Sequence, residues 1–149
     1  MTTLASNKKA FHSYTIEDQV EAGIVLSGHE VKSIRSGQVS LAGSFVSIRN
    51  GEAFLKNAYI GKYKHGTNLE GYDENRERKL LLHKSEILKL TQRSKEKGSA
   101  LIPLEIYSKK KRLKLKIGLG RGKKQFDKRE SIKKKELKRK IERTIRTRI

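Results

Sequence analysis

The chain has 149 residues, room for one domain with an appendage, and only 34% of them are hydrophobic, against about 45–50% in an ordinary soluble domain. Its 36 Lys and Arg outnumber 16 Asp and Glu, a net charge of +20, and a folded body with that excess repels itself until a polyanion neutralises it. The lack of cysteine excludes a disulfide framework and a thiolate metal site, and no signal-peptide core or membrane-spanning run is present, so a cytoplasmic protein is expected.

In chain order, residues 11–16 (FHSYTI) alternate as a half-buried strand does. Glu17-Asp18 reads as a turn, and residues 22–26 (AGIVL) as a second strand closing a hairpin. Gly28 breaks that strand. Residues 29–36 place Val31 and Ile34 three apart, which predicts a short helix stopped at Gly37. Residues 44–49 and 52–60 are strands around Asn50-Gly51, the dipeptide that best accepts the two positive φ angles of a type I′ turn. Residues 61–77 carry no period and read as a long surface loop. After the trio Leu80, Leu81 and Leu82, residues 85–93 predict a helix with Ile87, Leu88 and Thr91 on or beside the buried stripe, ending before Gly98. Residues 100–107 and 112–119 are the last strands. In the second of these, Leu113, Leu115 and Ile117 alternate with Arg112, Lys114 and Lys116, one core face against one cationic face. The single proline, Pro103, marks an edge or a bulge.

Six strands and two short helices predict a mainly β fold, an antiparallel barrel or sandwich; the OB-fold barrel is one such architecture that binds RNA. Charge divides the chain. Residues 1–107 hold sixteen basic and twelve acidic side chains, whereas residues 108–149 hold twenty and four. That asymmetry separates a body, residues 1–119, from a polycationic tail, residues 120–149. Gly120 and Gly122 flank Arg121 and are expected to keep the backbone pliable where Lys123 and Lys124 approach phosphates. Further on, Leu137, Ile141, Ile145 and Ile149 recur every four residues, the stripe of a basic helix expected to form when docked on RNA. A membrane-surface helix is the weaker reading, because the stripe is narrow and lacks aromatics.

Catalytic chemistry has no motif to stand on. His12, His29, His65 and His83 lack ligand spacing, so no metal and no cofactor are expected. The Gly-Arg-Gly-Lys-Lys stretch does not match a nucleotide-binding P-loop, and the carboxylates form no nuclease or glycosidase pattern.

Specific residues carry a family resemblance. Asn7-Lys8-Lys9-Ala10, His12, Tyr14, Glu21-Ala22-Gly23-Ile24, Leu26, Gly28, Glu30-Val31-Lys32-Ser33, Arg35 and Gly37 resemble the opening of the small protein B family, the SsrA-binding (tmRNA-binding) proteins of bacteria. Gly51-Glu52, Phe54-Leu55, Asn57, Arg78-Lys79 with the leucine trio, Pro103-Leu104, Tyr107, Gly122-Lys123-Lys124 and Asp127-Lys128-Arg129 continue it over nearly the whole chain. The resemblance implies an OB-fold antiparallel six-stranded barrel with flanking short helices and a basic C-terminal tail. It implies a non-enzymatic adaptor of trans-translation, without membrane contact. Such an adaptor binds the tRNA-like part of tmRNA and helps deliver alanyl-tmRNA, with elongation factor Tu, to stalled ribosomes. The resemblance assigns His12, Tyr14, Glu30, Lys32, Arg35, Asn57, Arg121, Lys123 and Lys124 to tmRNA. It assigns the tail residues Phe126, Asp127, Lys128 and Arg129 to the small-subunit decoding region and vacant mRNA channel.

Those residue types suit the task. Lys and Arg neutralise phosphates, Tyr14 or His12 can stack on an unpaired base, and Glu30 can accept a base or ribose hydrogen bond. Barrel packing and turn stabilisation are the alternative roles for Tyr14 and Asn57, and a local ion pair is that for Glu30. Asn75 stands where the family commonly has proline, and Phe126 where many members carry His or Tyr; the latter keeps a stacking surface and loses the polar tip. A structural ribosomal protein and an RNA-acting nuclease are the two other classes compatible with this composition.

Overall fold

The structure, a computed structural model, describes residues 1–63 and 69–122. The tail residues 123–149, with the stripe through Leu137, Ile141, Ile145 and Ile149, lie outside the described residues. Among those described, the order is β1 (Thr2–Ser6), α1 (Lys8–Ser13), β2 (Tyr14–Ile24), α2 (Gly28–Arg35), β3 (Val39–Ser40), β4 (Phe45–Arg49), β5 (Glu52–Lys56), β6 (Tyr59–Ile60), β7 (Arg78–Leu81), α3 (Lys84–Ser94), β8 (Ser99–Lys109) and β9 (Arg112–Gly122). Seven strands form one antiparallel sheet, β1-β8-β9-β2-β7-β5-β4, and β3 pairs with β6 in a separate ribbon. The sheet rolls until β4 lies beside β8, enclosing the main core. The mainly β, antiparallel class is as expected, but there are nine strands among the described residues rather than six. The strands expected at 11–16 and 22–26 give way to the single β2, that at 52–60 splits into β5 and β6, and β1, an edge strand without an apolar alternation, the two-residue β3, and β7 are additional.

The first predicted hairpin does not form. Residues 8–13 are helical, with Phe11 54% exposed and only Ala10 buried in that turn. The alternation over 11–16 holds only from Tyr14, where Tyr14 and Ile16 are half-buried on β2, and fails at Phe11. Asn7 fixes the helix start, its amide donating to the Leu104 carbonyl (2.8 Å) and its side-chain Nδ2 to that of Pro103 (2.9 Å). Glu17-Asp18 is not a turn either. β2 runs through it with a bulge between Ile16 and Asp18, pairing with β9 from Tyr14↔Gly122 to Gly23↔Lys114. The charges that suggested a turn are spent on partners distant in sequence: Asp18 on Arg93 (3.0 Å) and Lys89 (3.2 Å), Glu17 on Arg121 (3.3 Å).

Other expectations are met with shifted bounds. Asn50 (φ 53°) and Gly51 (φ 74°) take the type I′ conformation between β4 and β5. Asn57 (φ 59°) then ends β5, so residues 52–60 are two strands and not one. The β8–β9 turn has the same left-handed pair, but at Lys110 (φ 49°) and Lys111 (φ 66°). A Cβ-bearing residue held there costs roughly 1–2 kcal/mol. In α3 Ile87 and Thr91 are half-buried beside the buried Leu90, whereas Leu88, expected with them, is 63% exposed. Pro103 sits at a bulge, where the β8–β9 register slips before Glu105.

β9 is the central strand. Leu113, Leu115, Ile117 and Leu119 face the main core, and the last three, at 1% exposure or less, contribute about 1.5–3 kcal/mol each. Its opposite face is covered too, at Gly118 and Gly120. A second, smaller core of Ala10, Ile102 and Leu104 with Tyr14, Ile16 and Ala100 packs there. The strand continues to Gly122, beyond the expected body boundary at residue 119. Gly120 is consequently not a pliable hinge: a Cβ there would lie 2.7 Å from Ile102 Cδ1 and 3.0 Å from Tyr14 Cβ.

At Gly118 a Cβ would meet Leu104 Cδ1 at 2.8 Å and Cγ at 3.0 Å, and Leu104 is 1% exposed, with nowhere to move. Gly118→Ala should lower unfolding stability by about 1–3 kcal/mol, read as a drop in urea midpoint with an unchanged m-value.

Candidate nucleic-acid interface

The residues expected to meet RNA fall into two groups, and the structure does not bring them together. One lies where β9 ends. Tyr14 is opposite Gly122, half-buried against Gly120, and the exposed His12 closes α1 beside it. Arg121, opposite Thr15, is exposed but engaged with Glu17 (3.3 Å) and Glu96 (2.8 Å). Lys123, Lys124, Phe126, Asp127, Lys128 and Arg129 follow directly in the chain and lie outside the described residues.

The second group is built on α2. Ser27 precedes the helix and donates its amide to Glu30 Oε1 (3.0 Å), a capping arrangement. Gly37, at φ 87°, ends it. Ile34 turns inward, and Lys32 and Arg35 turn to solvent. Lys32 Nζ sits 5.7 Å from the Tyr63 ring centroid, close enough for a cation–π contact. Arg35 donates to the Lys111 carbonyl (3.2 Å), tying α2 to the tip of the β8–β9 hairpin.

Glu30 departs from its expected outward role. It has no exposed surface, and both carboxylate oxygens are taken. Oε2 accepts from Arg78 Nε (2.9 Å) and is 2.8 Å from Arg78 Nη2; Oε1 accepts from Arg76 as well as from Ser27. Arg78, equally buried, also donates to the carbonyls of Ala58 (2.6 Å) and Glu74 (3.1 Å) and to the Tyr72 hydroxyl (2.9 Å). That hydroxyl lies 3.0 Å from Glu30 Oε2 and 2.9 Å from the Ile60 carbonyl, its one proton facing both. The His29 ring stands edge-on to Tyr72, centroids 4.5 Å apart. One carboxylate thus fastens α2, residues 72–78 and the β5–β6 connection. Asn57, exposed at the start of that connection, precedes the Ala58 carbonyl that Arg78 holds.

Burial alone would raise the Glu30 pKa. The hydrogen bonds from Arg76, the Ser27 amide and Arg78 outweigh it and hold the group down at about 2. Burial, then the bond to Glu30, pushes Tyr72 up to about 12. The partners lie 42 to 48 residues from Glu30, so no local spacing in α2 announces them. Their one trace in the sequence is Arg76 and Arg78 two apart at the mouth of a strand, with Arg78 in phase with buried Leu80.

The charge boundary also moves. Of the twenty basic residues after Tyr107, seven (Lys109, Lys110, Lys111, Arg112, Lys114, Lys116 and Arg121) belong to the β8–β9 hairpin and not to the tail. Residues 123–149 hold thirteen basic and four acidic side chains.

Known proteins resemble this chain over most of its length. The family model described as SmpB protein matches residues 4–147. The SsrA-binding protein of Sulfurihydrogenibium sp. (strain YO3AOP1) is 51% identical over 146 residues, 98% of this chain and 95% of the relative. That of Enterococcus faecalis (strain ATCC 700802 / V583) is 52% identical over 142 residues, 95% and 92% of the two chains. A solved chain described as "tmRNA-SmpB: a journey to the center of the bacterial ribosome" has a TM-score of 0.67 and 45% identity, covering 80% of this chain and 83% of that one.

Since the folded pKa of Glu30 lies below its ordinary value of 4.5, its stabilisation is complete above that pH and is lost as pH falls toward about 2. Glu30→Gln leaves the buried Arg78 without a counter-charge and should cost about 3–5 kcal/mol at neutral pH. In thermal melts the gap between variant and wild type should narrow below pH 4.5.

Proposed function

The chain belongs to the SmpB protein family, and from that premise we propose that it is a tmRNA-binding adaptor of trans-translation, working in the cytoplasm without catalysing a reaction. It binds the tRNA-like part of tmRNA and helps bring it, charged with alanine and accompanied by elongation factor Tu, to ribosomes stalled on messages without a stop codon. The observation that carries this reading is the separation of two cationic surfaces along β9. Arg35 is tied to the Lys111 end of the β8–β9 hairpin, whereas His12, Tyr14 and Arg121 stand at the Gly122 end where the basic tail departs. The 11 residues of β9 set those ends apart by about 35 Å. Residues assigned to tmRNA lie at both ends, a span that one folded RNA can cover, and the ribosome-directed tail leaves from one of them.

In this reading Lys32 and Arg35 neutralise phosphates of the tRNA-like domain, and Asn57 offers its amide beside them. Glu30 acts by positioning: its carboxylate is committed to Arg76 and Arg78, and its effect on RNA passes through the orientation of α2. At the other end Tyr14 and His12 supply ring surfaces and Lys123 and Lys124 supply charge, which Arg121 adds to where a phosphate displaces Glu17 and Glu96. Phe126, Asp127, Lys128 and Arg129 engage the decoding region and the vacant mRNA channel, Phe126 by stacking alone.

Isolating the protein from cells and sequencing the bound RNA tests the reading directly; tmRNA should dominate, and a pool of ribosomal RNA alone would refute it. Truncation after Gln125 should leave tmRNA affinity within about twofold and abolish peptide tagging on stalled ribosomes, because the residues assigned to tmRNA end at Lys124 and those assigned to the ribosome begin at Phe126. Loss of both activities together would contradict the division.

A further inference from the structure

Five of the six residues 109–114 are cationic: Lys109, Lys110, Lys111, Arg112 and Lys114. They form the tip of the β8–β9 hairpin, and four of them, with Glu21, line an open hollow of about 450 Å³. The one carboxylate there is occupied. Glu21 accepts from the buried Tyr107 hydroxyl and lies 3.4 Å from Lys109 Nζ. The Tyr107 bond and the neighbouring lysines, Lys109 and Lys114, hold its pKa below the usual range against the opposing pull of burial. Lys110, Lys111 and Arg112 make no ion pair among the described residues, so their charge is free to meet an anion.

The backbone adds an independent observation. Lys110 and Lys111 both occupy the left-handed region, where a side chain is strained, although this chain uses Asn50-Gly51 for the same turn between β4 and β5. Strain tolerated at a turn tip is a mark of function where the side chain itself is needed. Here the needed property is charge, displayed at the exposed apex beside Arg35, whose guanidinium holds the Lys111 carbonyl.

We propose that the β8–β9 hairpin tip is a second phosphate-binding site, which grips the sugar–phosphate backbone of the RNA that α2 faces. The identity of that RNA rests on the adaptor reading above. The Arg35–Lys111 bond joins the tip to α2, so that one strand of a folded RNA can run from Lys32 and Arg35 on the helix to Lys110, Lys111 and Arg112 on the hairpin. A membrane is the poorer occupant: Leu113, the one apolar residue among 109–114, is buried, leaving nothing to enter a lipid layer.

The test uses the full chain and a transcript of the tRNA-like domain of tmRNA, with affinity followed across a potassium chloride series. Lys110→Asn combined with Lys111→Gly places preferred residues in the turn and should raise the thermal midpoint, which removes misfolding as a cause of weaker binding. The same variant should bind about tenfold more weakly, with a log–log salt slope shallower by about 1–2. Lys110→Arg with Lys111→Arg keeps the charge and should keep the affinity. Wild-type affinity and slope in the Asn-Gly variant would overturn the hairpin site while leaving the adaptor reading intact. A wild-type protein that fails to bind the transcript would overturn the adaptor reading and this site with it. An equal loss in the Arg-Arg variant would show that conformation, not charge, matters and would also overturn the site. So would a variant effect confined to phosphatidylglycerol vesicles or to inorganic phosphate at matched ionic strength.

Discussion

A guanidinium with no exposed surface must have a carboxylate beside it, and the body is arranged around how Arg78 obtains one. β7 carries Arg78 into the interior, in phase with Leu80, and α2 delivers Glu30 to meet it. Desolvating two charges is expensive, and such a pair holds only if the remaining donors and acceptors are also satisfied. Ser27, Arg76, Tyr72 and the carbonyls of Ala58 and Glu74 do that. The network therefore constrains segments far apart in the chain to one arrangement. α2 gains from this more than stability. An eight-residue helix is too short to stand alone in water, yet the network fixes it with Lys32 and Arg35 facing solvent.

Distribution of charge follows from the same economy. In the body the carboxylates are spent on fixing elements: Asp18 and Glu17 join β2 to α3 and β9, Glu77 meets Arg49 and Lys56, and Glu105 meets Lys116. Exposed pairs of this kind add little stability, but each removes one cation from the pool that RNA can use. What is left over lies on several elements. Lys32, Arg35 and the hairpin apex make no ion pair among the described residues, and neither do Lys8 and Lys9 on α1 or Lys95 and Lys97 after α3. The body is thus a polycation in its own right, and the cut after Tyr107 that seems natural in the sequence assigns the hairpin's share to the wrong part.

Legibility in the sequence tracked locality. Asn50-Gly51 was readable because the turn needs only its own two residues, and the alternation of β9 because one strand face meets one core. The β2 strand was misread because its partner, β9, lies about a hundred positions away and turns an apparent Glu-Asp turn into a bulge. α1 was misread because Phe11 is a solvent-facing aromatic, so its place in the alternation carried no information on burial. Gly118 and Gly120 looked like freedom, or like nothing at all, and are instead the thin places over which Leu104, Ile102 and Tyr14 pack. At the site, motif resemblance placed Glu30 on the RNA-facing surface, whereas the structure buries it against Arg76 and Arg78, partners visible only in three dimensions. Tail residues from Lys123 onward were legible as charge and as motif, and lie outside the described residues.

An adaptor is only as good as the spacing it enforces between its partners, and β9 explains how this fold enforces it. Both of its neighbours, β8 and β2, are also 11-residue strands and pair with it over nearly its whole length. Side-chain cores cover both faces of its second half. Each ladder carries one bulge, between Ile16 and Asp18 and between Pro103 and Glu105, but pairing resumes on both sides, so β9 joins the hairpin apex to the departure point of the tail through continuous sheet. Edge strands, by contrast, could not serve: β1 pairs on one side only and ends at Ser6. The glycines on β9 then acquire their reason. They let Tyr14, Ile102 and Leu104 pack closely enough, with Ala10 of α1, to cover the outer face at the Gly122 end.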